Sequence, residues 1–341
     1  MAQKDIRNPT YLDFASRLDP DFKVASTIVE MCAETNQMIE DAVVIEGNLP
    51  TGHKTTVRTG LPEVAWRLLN YGVQPSKSTT KQIVDDCGML EAYAEVDKDL
   101  AKINGNTAAF RLSEDRPFLE AMNQAMGHAV IYGNRNVDPE KITGVAPRYR
   151  AGFTDRWAHQ DEIGSNIRAV CAAAAGNDQT SIWLITWGEN TTHMTYPKGS
   201  KLGIEQQDLG EVTLTDADGG RYQGYRTHYK WDMGLIVRDW RYNVRLCNID
   251  LSAISADPTS GDLLDALDDA CAYIPHMGLG RPVFYCNRRV EALLRKQVRK
   301  QVSGTLTMDQ LTANRSVVRY SGIPFKTCDA ILNTESPVVF S

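Results

Sequence analysis

A chain of 341 residues exceeds what one ordinary compact core organises, so two domains, or one domain with large extensions, are expected. The composition, 42% hydrophobic and 23% charged, excludes wholesale disorder, and a net charge of -6 lacks the basic excess of a dedicated nucleic-acid binder. No window approaches 18 consecutive apolar residues, and the opening MAQKDIRNPTYLDFASRLD has no apolar stretch of signal-peptide length, so neither a membrane span nor a leader is expected.

Taken in chain order, Val24, Ile28, Met31, Met38, Ala42 and Val43 recur at helical spacing and predict an amphipathic helix over residues 22–46, stopped by Gly47-Asn48-Leu49-Pro50. The run HKTTVRTGL from His53 to Leu61 is β-branched and polar, as an exposed strand is. With the turn-rich YGVQPSKS in its middle, the block 50–96 reads as a long two-stranded excursion. Such a hairpin is marginal alone in water, so it asks for cover from another surface, such as a neighbouring subunit. Ser113, followed by Glu114 and Asp115, is expected to cap a helix carrying Phe118, Met122, Ala125, Met126, Ala129 and Tyr132 on one stripe, ended by Gly133-Asn134. A further helix is expected over 161–175, ended by Gly176, and SIWLITWG reads as a short buried strand. Residues 198–251 read as mostly β, with TDADGG as a hairpin turn. The last ninety or so residues alternate: a helix over 262–274, the strand RPVFYC, a helix from the cap Asn287 to Val302 closed by Gly304, and the strands SVVRYSG and IPFKTCD.

The search for chemistry nominates no catalytic residue, metal ligand or cofactor site. Six histidines never pair at ligand spacing, and His276 with Cys271 and Cys286 lacks a fourth ligand. DADGG opens like a calcium loop without the rest of one, and GLGRP precedes its strand instead of following it. Seven scattered cysteines without a CxxC read as reduced core residues. No enzyme is expected. One charge pattern does stand out. Seven basic residues from Arg281 to Lys300, among them Arg288, Arg289, Arg295 and Lys296, face a single acid, Glu291. The stretch before it carries Asp257, Asp262, Asp265, Asp268 and Asp269. The bland reading is a solvated helix face; the functional ones are nucleic-acid, membrane or calmodulin-type binding, or opposed patches that join copies head to tail into rings.

Several segments together resemble the major capsid proteins of short-tailed bacteriophages with the Hong Kong 97-type fold. GNLPTGHKTTVRTGLPEVAWRLLNYGVQPSKSTTKQIVDDCGMLEAYAEVDKDLA resembles that family's E-loop and its return, and NGNTAAFRLSEDRPFLEAMNQAMGHAVIYGN resembles the long spine helix. GVAPRY is similar to the loop that follows the spine, RPVFYCNRRVEALLRKQV to a strand-helix pair of the axial domain, and YSGIPFKTCDAI to a late strand with Gly322, Pro324 and Asp329. The likeness runs from about residue 22 to the end.

The resemblance implies an α+β fold: an N-terminal arm (1–48), the E-loop and return (49–96), a peripheral domain with the spine helix (97–160), an axial domain with a β-rich middle (161–330) and a C-terminal strand (331–341). It implies a structural subunit that assembles as hexamers and pentamers into an icosahedral head around double-stranded DNA, in the virion, after synthesis in the bacterial cytoplasm. An encapsulin-like compartment shell and an unrelated soluble α/β enzyme are the alternatives. The expected inter-subunit contacts are Lys54, Val57, Arg58, Leu61, Val64, Trp66 and Arg67 in the E-loop, and Asp262, Asp265, Asp268, Asp269, Arg288, Arg289, Arg295 and Lys296 on the axial helices. Expected partners are further copies, a separate scaffolding protein (the arm begins near the first residue), a portal and a decoration protein, with no sequence-specific DNA binding and no membrane. Lys54, Lys77 and Lys81 are candidates for a covalent crosslink, which nothing else in the sequence supports.

Overall fold

The computed structural model describes residue 34 and residues 36–103, 107–149, 164–171, 178–216, 218–252, 262–299, 306–312 and 315–340. Along the chain these form α1 (Gln37–Asp41), β1 (Val44–Glu46), β2 (Gly52–Gly60), β3 (Thr79–Asp86), β4 (Gly88–Asp97), α2 (Lys98–Lys102) and α3 (Thr107–Tyr132). After these come β5 (Ile167–Ala169), β6 (Gln179–Trp187), β7 (Thr192–Tyr196), β8 (Glu205–Thr215), β9 (Arg221–Val237) and β10 (Asn243–Asp250). The chain closes with α4 (Asp262–Tyr273), β11 (Arg281–Cys286), α5 (Arg288–Arg299), β12 (Leu306–Thr312), β13 (Arg315–Tyr320) and β14 (Ile323–Thr327). Two compact units emerge. One holds Met89–Gly127 and Lys201–Asp232; the other holds Asn36–Gly88, His128–Ser200 and Met233–Ser341. Helix α3 and strand β9 contribute to both.

In the second unit β6 is the middle of the sheet, with β11 and β10 antiparallel on its two sides. Its nine residues QTSIWLITW are all buried, and from Ile182 to Trp187 they are apolar or β-branched throughout, the pattern of a strand covered on both faces. The sheet continues from β11 through β14 and β13 to β12, and from β10 to β5. Helix α4 packs Leu263, Leu267 and Ala270, and α5 packs Val290, Leu293 and Leu294, into the same core as Ile182 and Leu184. Some of the polar side chains inside this core are satisfied in chains, whereas the Gln179 and Gln297 amides and Trp183 Nε1 are buried without a hydrogen-bond partner among the described residues. Trp187 Nε1 donates to Tyr285 OH at 2.7 Å, and Tyr285 OH donates to Asp41 Oδ2 at 2.8 Å. Arg245 Nη2 donates to Glu335 Oε2 at 2.8 Å, and the same carboxylate accepts from Ser181 and from Tyr132, so the C-terminal segment is fastened into the interior.

In the first unit β4, β8 and β9 form the sheet, and Val96, Leu100, Ala101 and Phe110 make a small separate core beside Tyr225. The β8–β9 turn forms at TDADGG as expected: Asp216 Oδ1 accepts from the amides of Asp218 (3.1 Å) and Gly220 (2.6 Å), and Gly219 takes φ +83°.

Three expectations are corrected, and one strand is added. Among the described residues, the helix expected over 22–46 is present as α1, while its expected end, Val44–Glu46, is a strand paired parallel to β7; residues 22–33 and 35 of that expectation lie outside those described. The helix expected over 161–175 is not one where it is described: Ile167–Ala169 pairs parallel to β10, and Gly164 has φ +81°. Ile167 and Val170 are buried as their spacing suggested, but so short a segment cannot distinguish the two periods. Helix α3 starts at Thr107, not Ser113. Phe110 anchors its first turns in the small core, and the Ser113 hydroxyl donates back to the Phe110 carbonyl at 2.8 Å instead of capping. Strand β12, paired antiparallel to β13, was not anticipated. The end of the α5 helix beyond residue 299, with Gly304, lies outside the described residues.

Candidate functional site

Strands β2 and β3 form a two-stranded antiparallel hairpin whose register runs from Gly52 opposite Asp86 to Arg58 opposite Thr80. Between them, residues 61–78 carry no regular structure and are held by few bonds, such as Ser76 Oγ to the Glu63 carbonyl at 2.6 Å and Tyr71 N to the Leu68 carbonyl at 3.2 Å. Here the side chains are inverted relative to a normal surface. Leu61 is 81%, Val64 92% and Trp66 104% exposed, and Leu68, Leu69, Tyr71 and Val73 are exposed as well. Fully burying side chains of this size is worth about 1.5–3 kcal/mol each, so a run of them left in water marks a surface that another surface covers.

The root of the hairpin is built to hold. Asn48 replaces a strand neighbour: its Nδ2 donates to the Lys54 carbonyl at 2.8 Å while its Oδ1 accepts from Lys54 N at 2.7 Å. Arg148 Nη2 donates to Asp85 Oδ1 at 2.8 Å, and its guanidinium also reaches the carbonyls of Thr143, Gly144 and Leu235. Arg135 pairs with Asp86 at 2.7 Å. Gly52 is required by close approach, since a Cβ there would lie 2.2 Å from the Asp85 carbonyl oxygen.

The structure thus brings the seven expected E-loop residues onto one element, in unequal settings. Leu61, Val64 and Trp66 are bare, Lys54, Arg58 and Arg67 are exposed cations, and Val57 is half-buried along the ladder. Leu68, Leu69, Tyr71 and Val73 were missed. Their signal was available, four large apolar residues in a stretch with neither helical nor strand periodicity.

The charged helices are amphipathic as expected. Around α4, Leu263, Leu264, Ala266 and Leu267 face the core, while Asp265 and Asp268 face outward. Asp269 is half-exposed and accepts from Arg168 Nε at 2.9 Å. Asp262 opens the helix, and its side chain lies outside the described residues. Asn287 caps α5, its Oδ1 accepting from Arg289 N at 3.1 Å. Arg288, Arg289, Arg295 and Lys296 are all exposed; Arg288 pairs with Asp329, and Arg295 with Glu291 one turn earlier. Both patches lie in the second unit.

Burial pushes the Cys247 thiol up to about 12 and the Cys271 thiol up to about 11, with Asp268 adding to the latter. Such groups stay protonated at neutral pH and act as packing atoms, since the thiolate is the nucleophile and the metal ligand.

The family model described as major capsid protein GP7 matches residues 19–339. A chain from the structure of bacteriophage Epsilon15 is 34% identical, covers 99% of this chain and 99% of its own length, and superposes with a TM-score of 0.76. The bacteriophage JBD30 capsid matches in fold at 9% identity, covering 87% of this chain and 91% of its own, with a TM-score of 0.51. No curated protein matches. The α+β fold is of the Hong Kong 97 type, and the chain, a structural protein of the bacteriophage capsid, belongs to the major capsid protein GP7 family.

Proposed function

We propose that this chain builds an icosahedral phage head by assembling as hexamers and pentamers around double-stranded DNA, without catalytic activity and after synthesis in the host cytoplasm. The observation that carries the reading is the bare apolar run from Leu61 to Val73 on a hairpin whose root is fixed and whose tip is not. A neighbouring copy is its natural cover. Many moderate contacts per copy add up in a closed shell, so no single interface has to be large.

In this reading the hairpin 52–86 is the E-loop, with Lys54, Val57, Arg58, Leu61, Val64, Trp66 and Arg67 as its contacts. The unit of Met89–Gly127 and Lys201–Asp232 serves as the peripheral domain, with α3 as its spine, and the axial domain lies within residues 161–330. Asp265, Asp268 and Asp269 on α4 meet Arg288, Arg289, Arg295 and Lys296 on α5 of the next copy around the ring, a head-to-tail charge match. A scaffolding protein, a portal and a decoration protein are the proposed partners.

Expression alone, and together with a neighbouring scaffold gene, followed by size-exclusion chromatography and electron microscopy, tests the reading. Rings or shells are expected; a stable monomer under both conditions refutes it. A nucleic-acid assay on particles from infected cells separates a head from a shell around cargo protein. Replacing residues 61–78 by a short turn is expected to leave a folded subunit that forms no shells.

A further inference from the structure

Two histidines meet where the hairpin joins its unit. His53 lies on β2, opposite Asp85 on β3, and His193 lies on β7, which β2 packs against. Their rings stand edge to face at 88°, with centroids 6.0 Å apart. His193 is 1% exposed, and the Nδ1 atoms of both rings are buried without a hydrogen-bond partner among the described residues. That arrangement suits two neutral imidazoles and leaves no acceptor for a second ring proton.

The surrounding charges set the cost of adding one. Arg238 acts on both rings and is held in place by the Glu189 carbonyl (3.1 Å) and Asn190 Oδ1 (3.3 Å). Asp85 favours a proton on His53, but its Oδ1 already accepts from Arg148 at 2.8 Å. Gly188 offers His193 a backbone hydrogen bond. The next ionic groups along the chain, Asp86 with Arg135 and Asp239 with Arg241, are paired with each other. Two protonated rings would put four cations around the single carboxylate of Asp85.

We infer that His53 and His193 form an acid-sensitive latch: neutral, they pack the hairpin root against β7, and protonated, they drive it off, freeing the arm that carries Leu61 to Val73. The inference rests on the reading of that hairpin as the inter-copy arm and adds its regulation. Burial, then Arg238, pushes the His193 imidazole down to about 4, and the same two causes lower His53, with Asp85 opposing. The sign follows. A released ring titrates near its ordinary value of about 6.5 and binds protons that the docked ring refuses. Docking is therefore strongest above about pH 6.5 and weakens progressively down to about pH 4.

Hydrogen exchange by mass spectrometry on the unassembled full chain, at pH values from 7.5 to 4.5 and corrected for intrinsic exchange, reads the latch directly. Amides of the root (Lys54 to Thr56 and Val84 to Cys87) are expected to lose at least tenfold in protection across this range, while those of β6 and β11 keep theirs. The double variant His53→Gln with His193→Gln is expected to show the same root protection at both ends. Equal root protection at pH 7.5 and 4.5 in the natural chain, or an unchanged pH response in the double variant, overturns the latch. Should the double variant fail to fold, NMR titration of the natural chain decides: a His193 that titrates at about 6.5 refutes the proposal, and one far below it supports the proposal. Because the measurement uses single subunits, failure to form shells at neutral pH would count against the arm's role and leave the latch to be judged separately.

Discussion

Strand β6 and the tip of the β2–β3 hairpin are about equally rich in large apolar side chains, and they spend them oppositely. In β6 every residue from Gln179 to Trp187 is covered by β10, β11 and the helices of the same chain. At the tip, Leu61 through Val73 has almost nothing from its own chain against it. Apolar content alone therefore does not say where a core is. The difference lies in backbone pairing: β6 has a partner on each side, whereas residues 61–78 have no ladder at all, so only a surface from outside can exclude water from them.

The contrast can be broken by experiment. Trp183→Ala in β6 is expected to cost about 3–5 kcal/mol of unfolding free energy, because a fully buried indole leaves a cavity. Glu335→Ala belongs with it, at about 3–5 kcal/mol, since it strands the buried Arg245 guanidinium. Both are read by urea denaturation of the isolated subunit. Trp66→Ser is expected to change that stability by no more than about 0.5 kcal/mol, yet to weaken assembly by about 1.5–3 kcal/mol per contact, read as a higher protein concentration for shell formation. A large loss of subunit stability from Trp66→Ser would show that the tip is covered by its own chain. Smallest of all, Arg289→Ser with Lys296→Ser is expected to leave subunit stability within about 0.5 kcal/mol and to make assembly less sensitive to salt.

Legibility followed the same division. Where a segment's pattern and its tertiary partners agree, the sequence sufficed: SIWLITWG, the TDADGG turn, α4, and α5 with its Asn287 cap all stand where the residues place them. The errors fall where a distant strand overrides a local preference. Val44–Glu46 is claimed by β7, and Ile167–Ala169 by β10, although both read as helix from their spacing. Phe110 extends α3 backwards through a contact with Val96 and Leu100 that no local window contains. At the hairpin the exposed strand was legible, but the excursion expected over 50–96 ends at Asp86, with Gly88–Asp97 pairing instead as β4 beside β9, and the root was not legible. Asn48, Arg148 and the pair His53 with His193 come together from three separate stretches of chain, and nothing in their spacing announces it.

The clamp of Arg245 by Glu335 has a consequence for synthesis. The two residues lie ninety positions apart, and the cation comes first. On the ribosome, Arg245 is made long before the matching carboxylate exists. The second unit is therefore expected to complete its folding only after translation has passed residue 335. A chain cut short before Glu335 is expected to leave Arg245 without that counterion and its interior less stable. A growing shell made of finished copies then has a physical basis for refusing the unfinished ones.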